Sequence, residues 1–471
     1  MTPLSFLIIL AIAIAFLMLM IMKVKMHPVL ALFLTSIGLG LALGNNIIGT
    51  VNLINSGFGG TLKGIGVTII LGSILAMGIQ DTGAATSISN FFTRLFRGKV
   101  LELAPALTAF IVSIPVFGDI TMVLTAPIAS ILSKRKKISM SSMSSFIGMG
   151  LGLTHGLVPP TPGILAIALM YGADLGLTIF WGTVIAFIAF FGTWLLLRGW
   201  AAKEWIEPRE DFVEGFEAAK SDSVEDVIIH EPGLPNAFMA MLPVLIPVVL
   251  ITFASFAKVY MDEGGSSLTF FTSIGDRVIA LSIGVVFTVL LGFYKAEKVK
   301  QFHTRTTGEK DCKVRQIIFG NWVSRGLTVA LLPLLITAMG GAMGGMLKHA
   351  PVIKELGAIV AGTSLLPILV PFFTASIIMI AVGSMTTAGL TAAAIILPML
   401  DSLGLSPVAA TLSIGCGTMV LSHLNDSGFW IMTQFFNLNT KQGLKYLTIP
   451  RAVAGIIGII ALSIFVSMGL I

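Results

Sequence analysis

Charged residues and cysteines are both scarce in this chain. Asp, Glu, Lys and Arg make up 11% of its 471 residues, against roughly 25% in an average soluble domain. That scarcity excludes an ordinary water-soluble protein. Cys312 and Cys416, the only cysteines, lie far apart in sequence, so no disulfide framework is predicted.

Signatures of catalysis and metal binding are also missing. The chain has no His-Glu-x-x-His motif and no cysteine cluster, and no nucleophile is paired with a base in a recognisable pattern. We therefore predict no catalytic residues, no metal and no cofactor. The net charge of +6 is better explained by positively charged cytoplasmic loops than by nucleic-acid binding.

Apolar residues dominate, at 55% of the chain. Each long apolar run can cross a hydrocarbon core of about 30 Å as a helix. We therefore predict an all-α polytopic membrane protein with roughly 12 to 14 membrane segments. The clearest runs are 4–22, 236–257, 276–294 and 447–471.

Two hydrophilic stretches divide the chain. An acidic one at 199–234 has ten acidic and three basic residues, and a basic one at 295–320 should be cytoplasmic. The predicted organisation is a first transmembrane half, an acidic loop, linking transmembrane helices, a basic cytoplasmic loop and a second transmembrane half. Their bounds are 1–198, 199–234, 235–294, 295–320 and 321–471.

The two halves resemble each other. Matching motifs occur in the same order, at an offset that grows from 262 to 268 residues: 66–83 with 328–345, 118–121 with 383–386, and 147–155 with 414–423. The basic run at 134–137 corresponds to 401–406, which has no Lys or Arg. This charge reversal predicts two inverted-topology repeats, typical of secondary transporters.

Each half has two places where an apolar helix is interrupted. They are "SIPVFGDIT" (113–121), "THGLVPPTPGIL" (154–165), "AVGSMTTAG" (381–389) and "SHLNDSGFW" (422–430). Thr161 is placed to N-cap a helix with Pro162 at its first position. Asp119 is a candidate N-cap in the first half, as are Asn425, Asp426 and Ser427 in the second.

Helix N-termini inside the membrane suit an anion, because their N–H groups are unpaired and partly positive. Ionisable residues at that depth are costly, so they are candidates for function. Candidate substrate-binding residues are Asp119, Thr121, His155, Thr161, Ser384, Thr386, Thr387, His423, Asn425 and Ser427. Candidate proton-coupling residues are Asp119, His423 and Asp426. The alternatives for each are a packing kink, a simple N-cap or a satisfied buried histidine.

Five motifs together resemble the gluconate permease (GntP) family of the ion-transporter superfamily. They are "GFGGTLKGIG" (57–66), "PVFGD" (115–119), "HGLVPPTPG" (155–163), "GSMTTAG" (383–389) and "LSHLNDSGFW" (421–430). The resemblance implies a bacterial inner-membrane symporter that imports gluconate or a related hydroxy acid with protons. Family members commonly have an aromatic residue where this chain has Gly118 and a histidine where it has Thr161.

Several alternatives stay open at this point. Relatives carry glycerate-like acids or D-serine, and sodium is an alternative coupling ion. A passive anion channel and an intramembrane enzyme are alternatives from other classes. The expected partners are a small organic anion, a coupling ion and the lipid bilayer, and an oligomer is compatible with the sequence.

Overall fold

The computed structural model describes residues 3–97, 99–114, 118–213, 228–261, 266–309, 311–348, 366–420, 422–423 and 426–471. Within these ranges every regular element is a helix. The predicted all-α class is therefore confirmed.

The described residues before the basic stretch form thirteen helices. In order they are α1 (Pro3–Met22), α2 (Pro28–Ala42), α3 (Ile47–Asp81), α4 (Ala84–Leu95), α5 (Leu103–Val112), α6 (Gly118–Lys136), α7 (Met140–Leu157), α8 (Pro162–Tyr171), α9 (Leu175–Ala201), α10 (Glu210–Val213), α11 (Ala237–Tyr260), α12 (Ser266–Ile274) and α13 (Arg277–Tyr294).

The basic stretch is itself largely helical and leads directly into the second half. Its helices are α14 (Ala296–Thr307), α15 (Val314–Gln316) and a π-helical turn (Ile317–Asn321) that continues into α16 (Trp322–Lys348). Beyond these come α17 (Leu369–Val382), α18 (Met385–Ile396), a 3-10 turn (Leu397–Met399), α19 (Pro407–Met419), α20 (Ser427–Phe435), α21 (Thr440–Gly443), a second π-helical turn (Leu444–Thr448) and α22 (Ile449–Ser467).

Helices of membrane-spanning length are fewer than the predicted segments. Among the described residues, four helices are long and apolar enough to cross a membrane, and a fifth span is formed if the two arms of α3, bent by 46°, count as one. Other apolar helices, such as 103–112 and 407–419, are 10 to 17 residues long. A helix of that length covers only about 15–25 Å, so it spans the membrane only together with a neighbour across a break. The total of 12 to 14 segments stays a prediction.

The centre of the molecule is built on α7 and α19. Every residue of α7 is buried apart from His155, which is partly buried, and every residue of α19 after Pro407 is buried. The two helices cross at Gly156 and Gly415, where a Cβ added to Gly415 would lie 2.1 Å from the Gly156 carbonyl oxygen. Only glycine permits backbones to approach this closely. The crossing brings the ends of the two central helices, and the breaks that follow them, into one region.

Candidate functional site

The break after α7 is closed by the chain's own polar groups. Thr161 occupies the N-cap position of α8 with Pro162 at N1, as the sequence predicts. Its hydroxyl does not cap α8, however, and donates instead to the carbonyls of His155 and Val158, each at 3.1 Å. This break is therefore neutral, and it satisfies carbonyls that the end of α7 leaves without helical partners.

The break between α17 and α18 is a sharp turn. Gly383 ends α17 with φ at +72°, a left-handed conformation that favours glycine. Ser384 then caps α18, accepting from the Thr387 N–H at 3.4 Å, and also accepts from the Thr387 hydroxyl at 3.2 Å. The predicted helix start in "GSMTTAG" is confirmed.

The start of α8 packs against the start of α18. A Cβ added to Gly163 would lie 3.3 Å from the Thr386 hydroxyl oxygen. A small cavity lies at this contact, and its lining includes His155, Gly163, Met385, Thr386, Gly415 and Thr418. Two helix N-termini and two hydroxyls thus meet beside a histidine. The cavity holds about one water-sized molecule, so a larger anion requires a more open conformation.

The break after α19 carries charge. Asp426 is the N-cap of α20 and accepts from the Gly428 N–H at 2.8 Å. The Ser422 hydroxyl donates to the other carboxylate oxygen at 2.5 Å. Arg451, in the first turn of α22, lies 3.4 Å from that same oxygen. Asn425 is outside the described residues, and Ser427 begins α20.

The two histidines have different surroundings. The His155 Nδ1 is buried and has no hydrogen-bond partner among the described residues, and His155 lies within electrostatic range of Arg451 and Asp426. The His423 Nε2 lies 3.1 Å from the carbonyl oxygen of Ile380, in the last turn of α17. Because the helix stops at Met419, His423 and Asp426 do not share a helical face. They contact different partners.

The first break of the first half is only partly described. Ser113 ends α5, and its hydroxyl is hydrogen-bonded to that of Thr154 on α7. Residues 115–117 are outside the described residues. Asp119 and Thr121 both lie in the first turn of α6, where the Thr121 side chain is buried. The α6 helix packs against α20, so the helix that follows this break contacts the helix that follows the charged break.

A metal site at the breaks finds no support in the geometry. Among the described residues, the one group of His, Cys, Asp and Glu side chains with ligand atoms close enough together is His303, Glu309 and Cys312. It belongs to the basic stretch between the halves, in and after α14. The possible ligand atoms of His155, His423 and Asp426 do not lie close enough together to bind one metal ion.

Two arginine–aspartate pairs with at least one buried member were not predicted from the sequence. Arg451 is 4% exposed and lies inside the apolar run 447–471. Asp81 is fully buried at the end of α3, 3.0 Å from Arg325 and 2.8 Å from the Trp322 Nε1 on α16. The sequence does contain a signal for Arg451, because an ionisable residue within an apolar run is a candidate for function, as Asp119 is.

Comparisons with known proteins show which family and which solved structures this chain is similar to. Residues 5–468 match the model of the GntP family permease. A gluconate permease of Pseudomonas aeruginosa is 28% identical over 438 residues, covering 92% of this chain and 91% of the relative. A D-serine transporter of Escherichia coli is 29% identical over 435 residues, covering 92% of each chain. Among solved structures, the YdaH transporter of Alcanivorax borkumensis aligns with a TM-score of 0.61 at 14% identity, covering 94% of this chain and 99% of that one. This last likeness concerns the fold alone.

Proposed function

This chain belongs to the GntP family of permeases, and we propose that it imports gluconate or a related hydroxylated organic acid by proton symport. As a member of that family it is a transporter and not an enzyme, and it resides in the bacterial plasma membrane as a multi-pass protein. The substrate and the coupling ion are the proposed part.

The meeting of α8 and α18 is the observation that carries the substrate proposal. Both helices begin at this contact, and the Thr386 and Thr418 hydroxyls and His155 line the cavity there. Partly positive N–H groups attract a carboxylate, and hydroxyls exchange hydrogen bonds with a polyhydroxylated chain. We assign substrate contact to the residues named from the sequence: Asp119, Thr121, His155, Thr161, Ser384, Thr386, Thr387, His423, Asn425 and Ser427.

The two halves are proposed to be inverted repeats around this site. Both have a helix before the first break that packs on the central helix: α5 on α7, and α17 on α19. In each half a serine hydroxyl makes that contact across 41 residues, Ser113 with Thr154 and Ser376 with the Gly417 carbonyl. Such a repeat supports alternating access by movement of one half against the other.

Proton coupling is proposed to involve Asp119, His423 and Asp426. The alternative is sodium, which would use carbonyls freed at the breaks as ligands. Three of those carbonyls already accept hydrogen bonds, from Thr161 at His155 and Val158 and from His423 at Ile380. Because these carbonyls already accept hydrogen bonds, they are less available as sodium ligands, which favours the proton as the coupling ion.

Uptake by proteoliposomes tests the proposal. Radiolabelled gluconate, L-idonate, glycerate and D-serine are offered with an inward proton gradient, with and without sodium. We expect accumulation of at least one hydroxy acid, abolished by a protonophore and unaffected by removing sodium. Accumulation that requires sodium would show that sodium, and not the proton, is the coupling ion. A preference for D-serine would show that the substrate is a hydroxy amino acid and not a sugar acid. Failure to concentrate any of the four acids would contradict the proposal.

The paired histidines give a second test. His155→Ala and His423→Ala are measured singly and together in the same assay. We expect each single variant to transport less than the unmodified protein, and the double variant less still. Normal transport by both single variants would show that the two breaks do not form one site.

A further inference from the structure

We propose that Arg451 binds the carboxylate of the transported anion, and that Asp426 forms an ion pair with Arg451 when no substrate is bound. This inference rests on the proposed function and deepens it, because it gives a reason why the anion and a proton must move together. Asp426 was singled out from the sequence, whereas its partner emerges only from the fold.

Arg451 lies deep in the protein. It is the twelfth residue of the 28-residue apolar helix Thr440–Ser467, about 17 Å along a helix about 42 Å long. Its side chain is 5% exposed and that of Asp426 is 13% exposed. It also lies within electrostatic range of His155, which lines the cavity between α8 and α18. The guanidinium therefore lies near the middle of a membrane-length helix, within electrostatic range of the proposed substrate site.

The guanidinium is held in place by groups other than Asp426. Its Nε donates to the Gly148 carbonyl at 3.1 Å, one terminal nitrogen donates to the Ser422 hydroxyl at 3.2 Å, and the other lies 3.0 Å from the Met432 sulfur. Asp426 makes one long contact with it, at 3.4 Å. An arginine fully engaged by a carboxylate makes two parallel and shorter hydrogen bonds. Arg451 therefore has N–H groups that can donate hydrogen bonds to a second carboxylate.

Asp426 is likewise held without Arg451. One of its oxygens accepts from the Gly428 N–H and the other from the Ser422 hydroxyl. When that second oxygen is protonated, it becomes a donor and the Ser422 hydroxyl becomes its acceptor. The side chain can therefore remain at the N-cap in either protonation state while its charge changes.

The charge balance then requires a proton. A buried cation offsets one buried anion, and a second unpaired carboxylate at this depth is costly. When the substrate carboxylate pairs with Arg451, Asp426 takes one proton from solution and becomes neutral. One anion and one proton enter the site, no covalent bond changes, and both leave together. When they leave, Asp426 ionises and pairs with Arg451 again.

Other ionisable groups on the surrounding elements define the alternatives. They are His155 on α7, His423 in the same break, Asp119 on α6, Arg198 on α9, Cys416 on α19, Lys441 on α21, and Lys445, just before the start of α22, with its partner Glu204. Of these, His155, His423 and Asp119 are the ones whose titration would give a competing proton site.

The test compares Asp426→Asn with Asp174→Asn in proteoliposomes. Asp174 is the matched control, because it also N-caps a helix, α9, but stands in a connection away from the breaks. We expect Asp426→Asn to exchange labelled for unlabelled substrate but to lose accumulation driven by a proton gradient. Asp174→Asn should keep both. Accumulation by Asp426→Asn equal to that of the unmodified protein overturns the inference.

The double variant Arg451→Gln/Asp426→Asn tests the carboxylate contact without leaving an unpaired buried charge. Its folding is checked by gel filtration and thermal unfolding. We expect substrate exchange to weaken by at least about 30-fold, the loss typical when one partner of a buried charged contact is truncated. If the double variant exchanges substrate with the affinity of the unmodified protein, the inference is overturned, whether or not the single variants fold. If the unmodified protein itself accumulates no hydroxy acid, it is the proposed function that fails.

Discussion

The two halves of the chain interrupt their central helices at corresponding places, but they close the interruptions with different chemistry. After α7, the Thr161 hydroxyl satisfies two backbone carbonyls and the break is neutral. After α19, a carboxylate, a serine and an arginine meet, with Asp426 and Arg451 both largely buried. The two breaks therefore differ in charge and in how their polar groups are paired.

The difference between the two breaks concerns how strongly each one affects stability. A neutral hydrogen bond contributes only about 0.5–1.5 kcal/mol of stability, so the first break tolerates change. A buried ion pair has a larger effect, because removal of one member leaves the other uncompensated. We expect the charged break to govern both stability and ion coupling, and the neutral break to shape the substrate cavity.

The largest effect is expected from Arg451→Met. It leaves the Asp426 carboxylate buried without its cation, and should lower the free energy of unfolding by about 3–5 kcal/mol. Thermal unfolding of the detergent-solubilised protein measures it. Adding Asp426→Asn should restore most of the loss, since no unpaired charge remains. A double variant as unstable as Arg451→Met would mean that Arg451 stabilises the fold by packing and not by charge.

The next effect concerns the crossing that brings the two breaks together. In Gly415→Ala the new methyl group would overlap the Gly156 carbonyl oxygen, and should cost about 1–3 kcal/mol in unfolding free energy. Gly199→Ala is the control, because no atom lies within 4 Å of a Cβ added there and alanine favours helix. Equal thermal midpoints for the two variants would show that α7 and α19 can separate at no cost.

A smaller effect is expected at the neutral break. Thr161→Val removes the one hydroxyl proton that the His155 and Val158 carbonyls share, and should destabilise the protein by about 0.5–1.5 kcal/mol. Thr161→Ser keeps the donor and should change stability much less. Thermal unfolding of both variants decides between them, and a serine variant as unstable as the valine variant would point to lost methyl packing instead.

The smallest effect is expected at an exposed ion pair six residues before Arg451. Hydrogen bonds from Gln442, Lys445 and Tyr446 lower the pKa of Glu204 from 4.5 to about 2. The folded state thus favours the carboxylate, so its contribution is present above pH 4.5 and is lost as the pH falls toward 2. The Glu204 and Lys445 side chains are 36% and 42% exposed, so the contribution should not exceed about 1 kcal/mol. The thermal midpoints of Glu204→Gln and the unmodified protein should converge as the pH falls through this range. A constant difference would mean that the ionisation of Glu204 does not contribute to stability and that the substitution acts in another way.

Much of the site's outline was predictable because it depends on local chain chemistry. Thr161 with Pro162, Ser384 after Gly383, and Asp426 before α20 all occupy the helix starts that their residue types favour. The exception is Thr161, whose hydroxyl turns back toward α7. Which polar group it meets depends on the path of the connection and not on its propensity as a cap.

The contacts between distant segments were not predictable. Arg451 and Asp426 are separated by 25 residues, and Arg451 and Gly148 by 303. His423 and Asp426 are three residues apart, which would place them on one face of a continuous helix, but the helix ends at Met419, before either residue. His423 then meets Ile380 from another helix.

By itself, the sequence determined that this protein lives in a membrane as helices, where those helices break and which polar residues stand at the breaks. Hydrophobicity, proline, glycine and capping residues act within a few positions of the chain, so their consequences can be derived locally. Only the tertiary structure decided which breaks meet and which charge pairs with which. A buried ion is stabilised by whatever lies within a few ångströms of it, and for Arg451 that is fixed by the packing of α22 against α7 and α20 and not by distance along the chain.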